Sequence, residues 1–439
     1  MKIKNKLVLV MGYAKSGQSS VCLLQKKGAK VFVYDKNKKV KDALTNAVFV
    51  ENLTHDFVQK LDLVVLSPGI SIYSEGVKLC KLYGKKVIGE LELGLSFARG
   101  RKILVTGTNG KTTTVNLINQ AFNYAKKRNV LVGNVGNPIT KYVSLFKTNY
   151  IVETSSFQLE SSTVRPDVAC ILNITPNHLD RHFSFEEYKQ TKFKIFENMS
   201  KNGFLVLNAD DEELCKISQS YVKPKIVWFS QQKRVKGAFV SSGNICFDNG
   251  KQVVVVASQN DIKLFGKHNE QNVLSMVAIC MCCNIKPKFI RQAIMNFKGV
   301  DHRLQLVLEK DGVKFVNDSK STTPKSTLTA VESFQNPIIL IVGGSDKGIN
   351  YDDFALKLPS RVKLTVLTGA ISSKLEKSFK KANIQNYVVK KEFYQAVEYA
   401  SQIAESGDVV LLSPATASFD EFKNFEQRGE VFTKIVTHS

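Results

Sequence analysis

The sequence predicts an α/β protein of three domains built on largely parallel, doubly wound sheets. Short Val/Ile/Leu runs recur along the chain with amphipathic segments between them, the spacing of βαβ units. Many of these runs end in polar loops of small residues, as at the carboxyl edge of an open α/β sheet, where ligands bind. A length of 439 residues leaves room for about three domains. The boundaries are placed at 1–92, 93–298 and 299–439.

Composition narrows the class. Hydrophobic content of 43% and charged content of 23% are ordinary for a globular chain with sizeable cores. A net charge of +23 would attract polyanions, nucleic acid or acidic membrane among them. The basic residues come singly or in pairs (Lys26-Lys27, Lys38-Lys39, Lys85-Lys86, Lys380-Lys381) without a long block. That favours a Lys-rich surface and small anionic substrates over nucleic acid. Eight cysteines without paired spacing fit a reducing cytosol, and Cys280, Cys282 and Cys283 fall in an apolar helical pattern. Leu7–Met11 is a first strand ending at Gly12, not a signal peptide. No apolar run approaches the ~20 residues of a membrane span, so a cytoplasmic location is expected.

In the first domain Leu7–Met11, Val31–Tyr34, Leu63–Leu66 and Val87–Ile88 read as strands. Gly12-Tyr13-Ala14-Lys15-Ser16-Gly17 followed by Asp35 approaches a dinucleotide fingerprint but lacks its middle Gly. A phosphate-tolerant loop at a helix N-terminus fits better. Ser67-Pro68-Gly69-Ile70 ends the third predicted strand as a βα loop.

The second domain carries the strongest motif. Ile103-Leu104-Val105 leads into Thr106-Gly107-Thr108-Asn109-Gly110-Lys111-Thr112-Thr113, and a helix follows. Backbone N–H groups converging at a helix N-terminus bind anions. Lys111 adds charge for β/γ-phosphates, and the Thr112 hydroxyl can ligate Mg²⁺. Val105 stands where the full phosphate-loop pattern has a Gly, so this is a shorter variant; the plain alternative is an ordinary βα turn. Tyr150-Ile151-Val152 ends at Glu153, where a second Mg²⁺-organising acid belongs, unless it is a surface carboxylate. Val168–Ile174 reads as a strand leading to His178, which has a metal or substrate role or a structural one. Lys192, on the next helix, is by default a solvated surface lysine. Strands at Phe204–Asn208, Ile226–Phe229 and Val253–Ala257 and a helix starting within Gly266–Asn272 complete the domain.

In the third domain, strands Val313–Val316, Ile338–Val342, Leu364–Leu367 and Val409–Leu412 each end in a polar loop. These loops carry Asp318, Lys347 and the run Ser413-Pro414-Ala415-Thr416-Ala417-Ser418-Phe419-Asp420.

The order of these motifs, with Asn173-Ile174-Thr175, His302-Arg303 and Asn317-Asp318-Ser319-Lys320, resembles the Mur ligases, over essentially the whole chain. Ser155-Ser156-Phe157-Gln158-Leu159-Glu160 and Ser413–Gly429 resemble the D-glutamate-adding branch. The resemblance implies Rossmann-like outer domains, binding UDP at the N-terminus and D-glutamate at the C-terminus, around a central phosphate-loop ATPase domain. It implies ATP-dependent ligation of D-glutamate to UDP-N-acetylmuramoyl-L-alanine through an acyl phosphate, with ATP and two Mg²⁺, by a monomer that closes over its substrates. Gly107 to Thr113 would hold ATP phosphates, with Asn269, Asn272, Arg303 and Asp318 at adenine, phosphate and ribose. Thr112 and Glu153 would hold one Mg²⁺; His178 and a carbamylated Lys192 would hold the second. Asp35, Lys36, Ser67, Pro68 and Gly69 would contact UDP, and Asn134, Ser155 and Gln158 the muramoyl-alanyl part. Lys320, Thr322, Lys347, Ser418 and Phe425 would surround D-glutamate. A folylpolyglutamate synthase or sibling Mur enzyme is the nearest rival; a basic nucleic-acid-dependent ATPase would need a basic stripe that is absent.

Overall fold

Buried β-branched runs pair into three sheets in the computed structural model, which describes residues 1–143, 146–217 and 222–438. The first sheet contains β1 (Leu7–Met11), β2 (Lys30–Tyr34), β3 (Val48–Phe49), β4 (Leu63–Leu66) and β5 (Lys86–Gly89), all parallel, in the order β3-β2-β1-β4-β5. The strand order reverses between β1 and β4, and the loops after these two strands meet there. Ser67 Oγ donates to Gly12 O at 2.8 Å. A crevice at such a reversal is the usual ligand position in an open α/β sheet.

The second sheet runs through β6 (Lys102–Thr106), β7 (Asn129–Gly133), β8 (Asn149–Glu153), β9 (Val168–Ile171), β10 (Phe204–Asn208), β11 (Lys225–Ser230), β12 (Gly237–Ser241), β13 (Asn244–Asp248) and β14 (Val253–Ser258). Its order is β14-β13-β12-β11-β10-β9-β6-β8-β7, parallel except for the antiparallel ribbon β12-β13-β14. Strand β6 lies between β8 and β9, with Val105 level with both Glu153 and Cys170. The ends of three strands therefore converge around the loop after β6.

The third sheet comprises β15 (Gln305–Lys310), β16 (Val313–Asn317), β17 (Ile338–Gly343), β18 (Val362–Thr368), β19 (Tyr387–Val389) and β20 (Val409–Leu412), in the order β15-β16-β20-β17-β18-β19. Only the β15–β16 edge pair is antiparallel. Along β17 the side chains alternate. Leu340 and Val342 enter the core on one face, and Ile339 and Ile341 the core on the other. Burial on both faces explains why its sequence is an unbroken apolar run.

The chain divides into two compact units. One is Met1–Ile262 with Glu270–Met295; the other is Lys263–Asn269 with the chain from Asn296 onward. In the first unit one apolar core runs from Val8, Val10 and Val65 through Leu91 and Ile139 to Leu104, Val152 and Ala169, joining the first two sheets. At that junction Glu90, fully buried, accepts from Thr140 N at 2.9 Å and Thr140 Oγ1 at 2.7 Å.

Several expectations are corrected. Strands β3, β7, β12, β13, β15 and β19 were not among those read from the sequence, β3 and β19 being only two and three residues long, so the third predicted strand is β4. Strand β9 ends at Ile171 rather than Ile174, because the backbone then turns to the loop after β6: Thr108 N donates to Asn173 O at 3.0 Å. Among the described residues no helix is long and apolar enough to cross a membrane.

Gly94 sits inside the helix Glu90–Phe97, where an added Cβ would lie 2.4 Å from Ile139 Cγ2 and 3.1 Å from Thr140 N. Helix propensity alone favours Gly94→Ala by about 1 kcal/mol, whereas overpacking costs about 1–3 kcal/mol. Packing decides here, so Gly94→Ala should lower the denaturant midpoint; a raised midpoint would contradict the close approach.

Candidate active site

The loop after β6 is held from beneath by the segment after β9. Asn109 N donates to Asn173 Oδ1 at 2.9 Å, and Asn173 Nδ2 returns a bond to Asn109 O at 3.3 Å. The Thr108 hydroxyl turns inward, within 3.2 Å of both Thr175 O and Tyr188 Oη. Gly110 caps the helix Lys111–Tyr124 with φ +82°, and a Cβ there would come 2.2 Å from Asn272 Oδ1. Only glycine admits both that conformation and that neighbour. Asn272 thus packs against the loop, and the Thr114 hydroxyl donates to its Oδ1 at 3.4 Å. The N–H groups of the helix's first turn, carrying Thr112 and Thr113, face the loop side, an arrangement suited to phosphate.

Two lysines reach the same backbone oxygen. Lys111 Nζ donates to Gly107 O and Thr108 O, each at 2.9 Å. Lys192 Nζ donates to Gly107 O at 3.0 Å and lies 4.6 Å over the Tyr188 ring. The expected surface position of Lys192 is corrected: it is 1% exposed, on the inward face of the helix Phe185–Glu197. Burial, with Lys111 as a second cause, holds its amine well below the ordinary lysine range. Burial beside a second lysine thus disfavours the charged form of this amine.

Glu153 is not a surface carboxylate. It is 2% exposed, and its Oε1 accepts from Asn134 Nδ2 at 2.8 Å. Its Oε2 is buried without a hydrogen-bond partner. A carboxylate oxygen left open beside a phosphate loop fits a hard cation. Among the described residues no group of three or more His, Cys, Asp or Glu could hold a metal. Bound Mg²⁺ would therefore draw its remaining oxygens from phosphate and water, as Mg²⁺ commonly does. Exposed His178 adopts φ +53°, with its ring 5.0 Å from that of Phe157. Ser155 and Gln158 are engaged with each other in the capping box of the helix Ser156–Glu160.

In the first sheet, Asp35 accepts from Tyr13 N at 2.7 Å and Asn37 N at 2.8 Å, bracing the loop after β1, while Lys36 is exposed. Ser67 is buried, Pro68 half-buried and Gly69 exposed.

Apart from Asn269, the second unit collects the remaining candidates at the carboxyl edge of its sheet. Ser418 is buried with its hydroxyl unpartnered. Lys347 Nζ donates to Thr322 O at 3.0 Å, and Lys320 Nζ lies 5.9 Å over the Phe425 ring. Asn269 Nδ2 donates to Phe265 O at 2.6 Å, and Arg303 is half-buried. Asp318 is turned into the protein. Its oxygens accept from Leu304 N at 3.2 Å and Ser413 Oγ at 2.8 Å, and burial pushes its carboxyl up to about 6.

Sequence reasoning missed Arg428. It is 1% exposed and donates to Ser319, Gly343, Thr416 and Ala417, joining the loops after β16, β17 and β20. The signal was present: Phe425, Arg428, Phe432 and Ile435 share one helical face, so the arginine belongs to the buried stripe. Asn173, Thr175 and Tyr188 were also missed as supports of the phosphate loop.

The profile of the Mur ligase middle domain matches residues 105–281, that of the Mur ligase glutamate ligase domain residues 302–416, and that of the MurD-like N-terminal domain residues 6–89. The chain belongs to the Mur ligase family. It is 39% identical to the UDP-N-acetylmuramoylalanine--D-glutamate ligase of Koribacter versatilis, over 99% of this chain and 98% of that one. It is 38% identical to the enzyme of the same name from Clostridioides difficile, over the full length of both. Among solved structures, MurF of Thermotoga maritima in complex with ADP aligns with a TM-score of 0.59 at 16% identity, over 100% of this chain and 97% of that one. UDP-N-acetylmuramate-alanine ligase from the same organism aligns at 0.58 and 18%, over 99% and 100%. These two establish the three-domain α/β architecture.

The raised Asp318 carboxyl has a thermodynamic sign. It binds its proton more tightly folded (about 6) than unfolded (3.8), so rising pH across that interval removes stability, and the loss persists at pH 7. Asp318→Asn keeps an acceptor for Leu304 N without a charge. Its melting temperature should exceed the wild type's at pH 7.5 by the equivalent of about 1–3 kcal/mol, and the two should converge near pH 4. A constant difference across that range would contradict the assignment.

Proposed function

We propose that this chain joins the amine of D-glutamate to the L-alanyl carboxylate of UDP-N-acetylmuramoyl-L-alanine, converting ATP to ADP and phosphate, in the cytoplasmic assembly of the cell-wall peptide precursor. The observation that carries this reading is the set around Gly107: two lysine heads on one carbonyl, with a buried carboxylate ending the adjacent strand. Similarity over the full chain to enzymes named for the reaction supports the substrate assignment. Eight free thiols fit the reducing compartment.

The first step must bring a carboxylate against the γ-phosphate, anion onto anion, and needs positive charge between them. Lys111 supplies part of it, exchanging the Gly107 and Thr108 carbonyls for phosphate oxygens. Thr112 and Glu153 would hold one Mg²⁺, His178 and Lys192 a second, and the metal would neutralise phosphate charge. Lys192 suits that role as a carbamate: its neutral amine adds to CO₂, releases a proton, and becomes an anion beside Lys111. The γ-phosphoryl passes to the L-alanyl carboxylate. The D-glutamate amine then attacks the acyl carbon, and the tetrahedral intermediate expels phosphate. Residues 1–92 bind the UDP end, 93–298 ATP, and 299–439 D-glutamate. There Lys347 pairs with a substrate carboxylate, and the Ser418 hydroxyl supplies an unused hydrogen bond.

Phosphate release with UDP-N-acetylmuramoyl-L-alanine and ATP tests the reading directly. Turnover should require D-glutamate and fail with L-glutamate, L-alanine, L-lysine or folate; equal turnover with any of these would refute the assignment. Lys111→Ala should lower kcat by at least roughly 100-fold. Lys347→Ala should chiefly raise KM for D-glutamate, by about tenfold, equivalent to losing one charge-assisted contact.

A further inference from the structure

We propose that Arg181 is a positioning residue that ties the loop after β4 to the ring supporting His178, so that occupation of the UDP loop is felt at the metal-ligand position. The inference rests on the ligand assignments just proposed for that loop and for His178. One guanidinium makes three different contacts. Its Nη2 donates to Ile70 O at 3.3 Å and to Glu160 Oε2 at 2.6 Å, and its Cζ lies over the Phe157 ring, 4.3 Å from the centroid. Ile70 closes the turn that begins at Ser67, through Ile70 N to Ser67 O at 2.9 Å. Arg181 therefore grips the far end of the UDP loop.

Phe157 is the second half of the link. Its ring lies 5.0 Å from the His178 imidazole and 5.8 Å from that of His182, whose Nε2 lies 3.0 Å from Ser156 Oγ. The contacts run without a gap from Ile70 through Arg181 and Phe157 to His178. Glu160 anchors the middle, its side chain 3% exposed, so the guanidinium has little freedom to swing. His178 needs such support: at φ +53° it occupies the left-handed region without being glycine. A second tie runs in parallel. Tyr73 Oη donates to Glu187 Oε1 at 2.7 Å, and the Tyr73 ring meets Phe183 edge-on. Both ties join the loop after β4 to the stretch that directly follows His178.

Lysine cannot reproduce a planar group that stacks, pairs and donates to a carbonyl at once. Arg181→Lys keeps the charge beside Glu160 and loses the rest. With Mg²⁺ varied in excess over ATP, Arg181→Lys should raise the concentration for half-maximal phosphate release, and the KM for UDP-N-acetylmuramoyl-L-alanine, each roughly tenfold. KM for D-glutamate and the melting temperature should stay near wild type. Phe157→Leu should shift the Mg²⁺ curve similarly, and the double variant should shift it no further than the larger single one, because both act through one ring. A wild-type Mg²⁺ curve for Arg181→Lys, or multiplying shifts in the double variant, would overturn the inference. A measurement independent of turnover uses UDP as the probe. The His178 imidazole resonances, assigned through His178→Gln, should move on UDP addition in the wild type and stay fixed in Arg181→Lys. An equal shift in both overturns the link, whereas absent D-glutamate-dependent turnover in the wild type would overturn the proposed function instead.

Discussion

Two lysine side chains converge on the carbonyl of Gly107, and the rest of the site is arranged around that crowding. Lys111 comes from the helix the loop opens, and Lys192 from the helix Phe185–Glu197. Like charges this close in a buried setting cannot both ionise cheaply. One amine is therefore held neutral, or an anion must enter. In the proposed reaction an ATP phosphate would relieve Lys111, and a carbamate Lys192. The loop is thereby poised for anions before any ligand arrives. The open oxygen of Glu153 is the opposite need, a negative atom awaiting a cation. Both unmet demands meet at the ends of adjacent strands.

The second unit solves a similar problem differently. Arg428 is buried as deeply as Lys192 but spends its donors on carbonyls and a hydroxyl of three loops. It sets the shape of the sheet edge where Ser418, Lys320 and Phe425 are placed. A buried arginine with its hydrogen bonds satisfied rigidifies, whereas a buried lysine with a lowered pKa remains chemically available. The contrast separates a scaffold cation from a reactive amine.

These buried strands were legible in the sequence because both faces are covered: Leu63–Leu66, Phe204–Asn208 and Val409–Leu412 occur as read. The phosphate loop was legible because glycines, lysine and hydroxyls occupy fixed offsets along it. The edge strands were not, since Val48–Phe49 or Tyr387–Val389 offers two or three residues and no period. Burial of Lys192 was not legible from residue type; it follows from which helical face packs on β6, a tertiary fact. The role of Arg181 was not legible, because it lies in touching Ile70 and Phe157, far apart along the chain. Resemblance to the family supplied roles for residues whose local pattern left them ambiguous, His178 above all.

The proposed second metal site depends on carbamylation of Lys192, whose buried amine is held well below the ordinary lysine range. Carbon-13 NMR with labelled bicarbonate at pH 7.5 tests it most directly. One carbamate resonance, absent from Lys192→Arg, is expected, with the unmodified Lys192 amine titrating well below the ordinary value of about 10.4. No carbamate signal, with Lys192 titrating at that ordinary value, would contradict it.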